Sequence, residues 1–499
     1  IDAFGDSELA FKKAYQALLN NAGHVTLDLA GRKIALREPI DMAVAVGNRS
    51  TYNQRHVIQN GQFSVFPTPA WETDTVTSQA SYDPDSNDKR LSNVANVANI
   101  SVGALVEGNG VGREVYVTSR NIAAGRLTLS QPLFDAAGTQ VFTFRRFKYM
   151  LDFSGFQDVS RMVVSEVDFQ CSGDCSAVLL PPSGSANHFR DCFITRPKDR
   201  GITSHGEGDQ GMMIDRCQFL SNESPLLVTE RASIGFNANA NDLKIRDNRA
   251  TFFRHFAVMA GSSSLISGNH VFQGDSASNG IRSAGFVLTR TNNRGTINGN
   301  YIDNCFIEWA NEHDAAPEFA SEFSFSALSV TGNVFLASDM APWFTFIAVK
   351  PHGPGHFLDG MTVTGNSFRA IGTLDRVETV DTSFADLDFD RVRGITFAEN
   401  SFHNITIQAA SPLVMAHAET SASETWVVEP APRLPFGAWA QTVESILPEG
   451  PLRDPGGDVS HVTAYVETRQ GPENDRVNLR WPGPVSGRVI LRLRIDDAV

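Results

Sequence analysis

From about residue 160 the chain repeats one short pattern of apolar and polar positions. It runs through Val164-Ser-Glu-Val-Asp-Phe169, Phe189-Arg-Asp-Cys-Phe-Ile194 and Ile214-Asp-Arg-Cys-Gln-Phe219. It continues in Ile245-Arg-Asp-Asn-Arg-Ala250, Ile266-Ser-Gly-Asn-His-Val271 and Ile297-Asn-Gly-Asn-Tyr-Ile302. Val330-Thr-Gly-Asn-Val-Phe335, Val363-Thr-Gly-Asn-Ser-Phe368 and Phe397-Ala-Glu-Asn-Ser-Phe402 complete it. Each unit opens on an apolar residue and closes on a mostly apolar one. The fourth position forms a column: Val167, Cys192, Cys217, Asn248, Asn269, Asn300, Asn333, Asn366, Asn400. Its members are 21 to 34 residues apart. A constant motif at variable spacing predicts stacked coils whose strands are fixed and whose loops vary. Nine coils at roughly 4.8 Å each would span about 40 Å.

The Asn column reads either as an exposed Gly-Asn turn or as a buried ladder. Apolar neighbours favour the ladder, with each Asn in a left-handed bend and its amide donating to the same group one coil away. Cys192 and Cys217 then lie on adjacent coils, about 5 Å apart, as buried thiols. Cys171 and Cys175 sit near a turn, a weak metal or disulfide signal, and Cys305 reads as core.

The start of the chain has helical spacing (Leu9, Ala10, Ala14, Ala17, Leu18), with Asp6 or Ser7 as N-cap and Gly23 at the end. Val25–Leu29 and Lys33–Leu36 follow as strands. A helix covering the open end of a sheet stack hides its unpaired edge. Residues 72–92 are polar and read as a mobile loop, while 101–150 hold strands such as Arg113–Val117 and Gln140–Phe144, which either decorate the first coils or form a small side domain. The repeat stops near residue 410. Pro430–Pro435 reads as a linker, and Val477–Trp481, a Pro-Gly-Pro turn and Arg488–Ile495 read as a hairpin.

The expected fold class is all-β: a right-handed parallel β-helix, or solenoid, with an N-terminal capping helix and a small C-terminal β domain. Its units are 1–45 (cap and first strands), 46–409 (the helix, with insertions at 72–92 and 101–150) and 410–499 (capping or self-association).

Composition narrows the function. The 499 residues are 41% hydrophobic and 20% charged, enough apolar mass for a long core. A net charge of −14 speaks against tracking a nucleic-acid backbone or an anionic membrane. No apolar run is long enough to span a bilayer, so no membrane insertion is expected. The chain opens at Ile1 rather than Met, so further sequence upstream is expected and secretion stays open. Phosphate-binding and serine-hydrolase motifs are missing, and His352-Gly-Pro-Gly-His356 cannot form a helical metal site. No cofactor and no metal are expected.

The chemistry is expected in one polar stripe. A second apolar strand per coil is read at Ser176–Leu180, Ile202–Ser204, Pro225–Val228, Phe256–Met259, Gly285–Leu288, Phe306–Trp309 and Phe344–Val349. The turns after these strands carry His205, Glu207, Asp209, Glu230, Arg231, Arg290, Glu312, His313, Asp314 and Lys350, flanked by Trp309 and Trp343. Solenoid turns are solvated and polar in any case, but in-register stacking would make this stripe a sugar-binding surface. Aromatic faces stack on pyranose C–H faces, and charged groups bond hydroxyls or uronates. Glu207, Asp209, Glu230, Glu312 and Asp314 are the candidate catalytic carboxylates for glycoside hydrolysis, which needs two of them close together. The pairings are Glu207 with Asp209 or Glu230, and Glu308 or Glu312 with Asp314. His205, Arg231, Arg290, Trp309, His313, Trp343 and Lys350 are the candidate substrate-binding residues. The histidines and cations among them would equally serve a lyase.

Gly5–Ala14 through Gly31–Leu36 resembles the entry segment of the pectate-lyase-like superfamily, and in layout the phage tailspikes and capsular depolymerases. Ala431–Ala440 through Arg488–Arg492 resembles the end of β-helix proteins of phage-like particles and gene transfer agents, relatives of glycosyl hydrolases. The polygalacturonase motifs are echoed only by His205-Gly206 and Cys171–Cys175. Arg196-Pro-Lys-Asp-Arg200 is one residue short of the pectate-lyase arginine element, so no catalytic residue transfers. The resemblance implies a homotrimeric spike on a virion or particle surface. It would bind a particle attachment protein on one side and a bacterial cell-surface or capsular polysaccharide on the other. The alternatives are a secreted polysaccharide lyase or glycoside hydrolase, and a non-catalytic structural or adhesive fibre.

Overall fold

The computed structural model describes residues 4–320 and 323–497. Residues 1–3 of the first expected unit and 498–499 of the last lie outside the described residues. The chain folds as a right-handed parallel β-helix. Each coil contributes three strands, and like strands stack into three parallel ladders. Val164, Phe189, Ile214, Ile245, Ile266, Ile297, Val330, Val363 and Phe397 stand one above another in the first ladder. Phe169, Ile194, Phe219, Ala250, Val271, Ile302, Phe335, Phe368 and Phe402 do so in the second. All but the last of these eighteen side chains are buried. The third ladder has ten strands, from Ile40–Asp41 to Glu378–Val380.

The Asn column lies at the bend between the first two ladders and is a ladder in its own right. Asn248, Asn269, Asn300, Asn333 and Asn366 are buried, and each side-chain amide donates to the next side-chain carbonyl at 2.9–3.0 Å. The bend itself is taken by the preceding residue. Glu166, Asp191, Arg216, Asp247, Gly268, Gly299, Gly332, Gly365 and Glu399 have φ of 51–67°. The expectation that Asn adopts the left-handed conformation is therefore corrected by one position. Glycine at four of those sites removes the Cβ penalty of that conformation. All five cysteines are buried and free, with Cys192 and Cys217 in the column.

The helix α1 (Ser7–Asn20) closes the N-terminal end. Asp6 accepts from the Leu9 N–H at 2.7 Å, and Phe11, Tyr15, Leu18 and Leu19 are buried against the first coils. Residues 74–146 form a six-stranded antiparallel sheet with its own apolar core. The reading of 72–92 as a mobile loop fails here. Asp74–Tyr82 pairs with Gly138–Arg146 over nine residues. Its inward positions are Ser78, Ala80 and Tyr82, so small and polar side chains hid the two-residue period.

At the C-terminus, Leu413–Val428 pairs with Arg476–Arg494 in a further sheet. Pro482-Gly-Pro484 is a bulge within this one long strand, not a hairpin turn, because the residues on both sides of it pair with the same partner. The expected linker is ordered too: Leu434, Pro435 and Phe436 are buried, and Leu434 and Phe436 join the continuous core.

Candidate functional site

The antiparallel subdomain lies against the third ladder and is clamped to it. Arg200 pairs with Glu114 through two bonds of 2.8 and 2.7 Å, and the Tyr116 hydroxyl donates to the same carboxylate at 2.6 Å. Gln131 donates to Asn239 at 3.1 Å. Arg113 is held by Glu312 at 2.8 Å and by Glu308, while its carbonyl lies 2.8 Å from the His313 ring. Gly112 comes so close that a Cβ there would sit 2.6 Å from the Glu312 carbonyl oxygen.

Beside this clamp opens a cleft of about 990 Å³. One wall is the subdomain loop around Asp85, Asp88 and Lys89, with Gln131. The other is the row of turns after five successive third-ladder strands, from Arg200–Thr203 to Phe306–Ala310. Four predicted residues line it: Glu207, Arg290, His313 and Asp314. Arg290 donates to Gln131 at 2.7 Å, which ties the stripe to the subdomain. His313 is buried, and desolvation pushes its imidazole down to about 4, so it is neutral near pH 7.

Burial raises the Asp314 carboxyl above its ordinary value. Burial also pushes the Tyr82 phenol up to about 12, with Asp88 and Asp314 adding to it. Desolvation lowers the Arg290 guanidinium, and Asp314, Asp88 and Glu207 oppose it. Asp88 and Asp314 thus act on the same two groups across the cleft. Glu207 and Asp314 follow strands four steps apart, roughly 19 Å along the axis. That is about twice the largest separation a hydrolytic carboxyl pair uses, 6.5–9.5 Å.

The remaining predicted residues do not line the cleft. Asp209 is buried, accepting from Ser204 at 2.6 Å and from the Asn239 and Ala240 N–H groups. Burial raises its carboxyl to about 6. His205 is buried beneath the same turn. Glu312 faces away from the cleft, locked to Arg113, so neither expected carboxylate pairing forms in the cleft. Trp309 is 1% exposed and donates to the Arg290 carbonyl, so it is core and not a sugar platform. Lys350 pairs with Asp381 in a different groove.

Glu230, Arg231 and Trp343 lie at another corner, between the second and third ladders. The error for Glu230 and Arg231 came from reading Pro225–Val228 as a strand; the strand is Ile234–Ala238. Arg231 is buried and bonded to four backbone carbonyls. Sequence reasoning missed Asp88, Lys89 and Gln131. The signal was the acidic loop Asp83–Arg90 itself, since polar loops on a rigid scaffold commonly carry function.

Among the described residues no cluster of His, Cys, Asp and Glu could hold a metal. His356 is engaged with Pro317 and Ser324, and His352 stacks on Phe384. No described helix is long and apolar enough to cross a membrane.

No protein-family model and no curated protein matches the sequence. Solved structures do. A mutant tailspike of E. coli bacteriophage HK620 aligns at 10% identity and TM-score 0.41, over 98% of this chain and 89% of that one. The Pseudomonas phage phi297 tailspike aligns at 13% and 0.30, over 97% and 92%. The tailspike of Acinetobacter baumannii bacteriophage AP22, solved with capsular saccharide, aligns at 10% and 0.29, over 96% and 92%. The chain is similar to phage tailspikes. The likeness is one of fold, and the cleft is read from its own residues.

Proposed function

We propose that the cleft between the subdomain and the turn stripe binds a bacterial surface polysaccharide. The observation that carries this reading is the cleft's form. It is long, open and polar, it crosses five coils, and it holds Asp88, Glu207 and Asp314 together with Lys89 and Arg290. A chain of hydroxyls meets such alternating donors and acceptors along its length. The setting proposed is that of the sequence resemblance: a homotrimeric spike on a virion or phage-like particle.

Asp314 is the proposed proton donor if the glycan is cut, because burial raises its carboxyl above the ordinary value, the direction that role needs. Asp88 is its proposed partner across the cleft, and Glu207 and Arg290 grip the chain further along.

The test is incubation of the protein with purified capsular polysaccharides, followed by size-exclusion chromatography and ultraviolet absorbance of unsaturated uronate. Co-elution with glycan, weakened about tenfold by Arg290→Ala, is expected. Shortening without new absorbance, lost in Asp314→Asn and Asp88→Asn, would make the protein a hydrolase. Shortening with new absorbance would make it a lyase and remove the role given to Asp314. Failure to retain any glycan, or an Arg290→Ala variant that binds as well as the parent, would sink the reading.

A further inference from the structure

A second groove runs along the opposite side of the subdomain. Two hollows of about 690 and 470 Å³ share Val111, Arg113, Arg254 and His255, and so form one channel. Its ladder wall is made by the starts of five successive third-ladder strands, from Arg200–Thr203 to Phe306–Ala310, and by Lys350 at the end of the sixth, Ile347–Lys350. Five inter-strand steps give it a length of roughly 24 Å along the helix axis. Ile234, Ala284 and Phe306 line it as part of an apolar cluster on the outer face of this ladder.

The charges above that floor are unequal in their partners. Arg145 is paired with Glu107, Arg200 with Glu114, Arg282 with Asp275 and Lys350 with Asp381, while Arg113 sits between Glu308 and Glu312. Lys198 and Arg254 are exposed and, among the described residues, have no carboxylate within ion-pair distance. His352 lines the same groove with both ring nitrogens buried and unbonded. His255 spends its Nδ1 on the Ala284 carbonyl at 2.7 Å. In a chain of net charge −14, two unpaired cations and an unsatisfied imidazole share one apolar-floored channel.

We propose that this groove is a second ligand site, and that its ligand is an extended acidic oligosaccharide, a run of uronate residues lying along the axis. The apolar floor meets the C–H faces of the sugars. Lys198 and Arg254 meet their carboxylates. Glu107, Asp199, Glu308 and Glu312 interrupt the walls, so no unbroken basic track for a polyphosphate exists, and uronate charges are met where Lys198 and Arg254 stand. The site stands on residues separate from those of the polysaccharide cleft.

The experiment is calorimetric titration of the full chain with oligogalacturonate and with its methyl ester, which has the same length and no charge. Binding of the acid, at least about tenfold tighter than the ester, is expected. The double variant Lys198→Glu, Arg254→Glu should lose at least about tenfold in affinity, and Arg290→Ala in the cleft should lose nothing. Lys198→Ala with Arg254→Ala provides a milder second variant, with parental thermal unfolding confirming the fold. Absence of binding, or equal binding of acid and ester, would overturn the proposal. Binding abolished by Arg290→Ala but kept in the double variants would also overturn it, leaving the cleft as the only site for the probe.

Discussion

Arg231 crosses over the short corner at Phe252 and ends two coils away. Its guanidinium lies 5.4 Å from the Phe252 ring centre and donates to the Gln273 carbonyl at 2.7 Å and the Gly274 carbonyl at 2.6 Å. It stitches loops whose backbone oxygens would otherwise be buried without donors. Arg231→Met should therefore cost roughly 3 kcal/mol in urea unfolding, since the freed carbonyls lose charged donors. Glycan affinity in the cleft should not change; a loss of affinity at unchanged stability would restore Arg231 to a binding role. Residue type alone misled the sequence reading here, and strand phase would have corrected part of it. In Phe306-Ile-Glu-Trp309, Ile307 and Trp309 alternate inward and Glu308 outward. Trp309 as core was thus legible. Arg231 was not, because an apolar Pro225–Val228 imitates a strand better than Ile234–Ala238, which contains Gly235 and Asn237.

Among the elements, the coils were legible and the subdomain only in part: Gln140–Phe144 was read as a strand and is one, whereas Arg113–Val117 opens on a turn and reaches a strand only at Val117, and Asp74–Tyr82 was read as a loop. Parallel stacking repeats the same side-chain environment at every step, so the motif recurs in sequence and can be aligned. The antiparallel insertion has no such repetition, and one wall of the cleft is built from it. Its docking depends on Gly112. A Cβ at that position would lie 2.6 Å from the Glu312 backbone oxygen, a contact that cannot persist. Gly112→Val should push the subdomain away, breaking the Arg113–Glu312 pair and the bond between His313 and the Arg113 carbonyl. Cleft affinity should fall about tenfold while the main thermal transition of the coils stays in place. Limited proteolysis near residues 84–89 should quicken. A variant that binds glycan normally would show that the subdomain does not shape the site.

At the scale of the whole molecule the buried titratable groups set how the protein meets acid. His56, His205, His255 and His313 are buried, and desolvation pushes their imidazoles down to about 4, 4, 3 and 4. In the unfolded chain they titrate near 6.5. Their stabilising contribution is full above that value and is lost as pH falls toward the folded values, because the unfolded state then binds more protons. Asp209 works the other way. Its folded value of about 6 exceeds the unfolded one, so its contribution is full at low pH and is lost as pH rises through 6. His352, lowered to about 4, adds a fifth imidazole and Asp303, raised to about 6, a second opposing carboxyl, so five protons against two leave a net loss toward acid of up to roughly 4 kcal/mol per pH unit near pH 5. The urea midpoint should therefore drop between pH 7 and pH 5. His205→Leu should flatten that drop by up to about 1.4 kcal/mol per pH unit, since neither ring nitrogen has a partner to lose. Asp209→Asn should steepen it by removing one opposing proton. A midpoint that rises on acidification would mean that these imidazoles are already protonated in the folded protein. His205, buried beneath its turn, would then have to be reached by water.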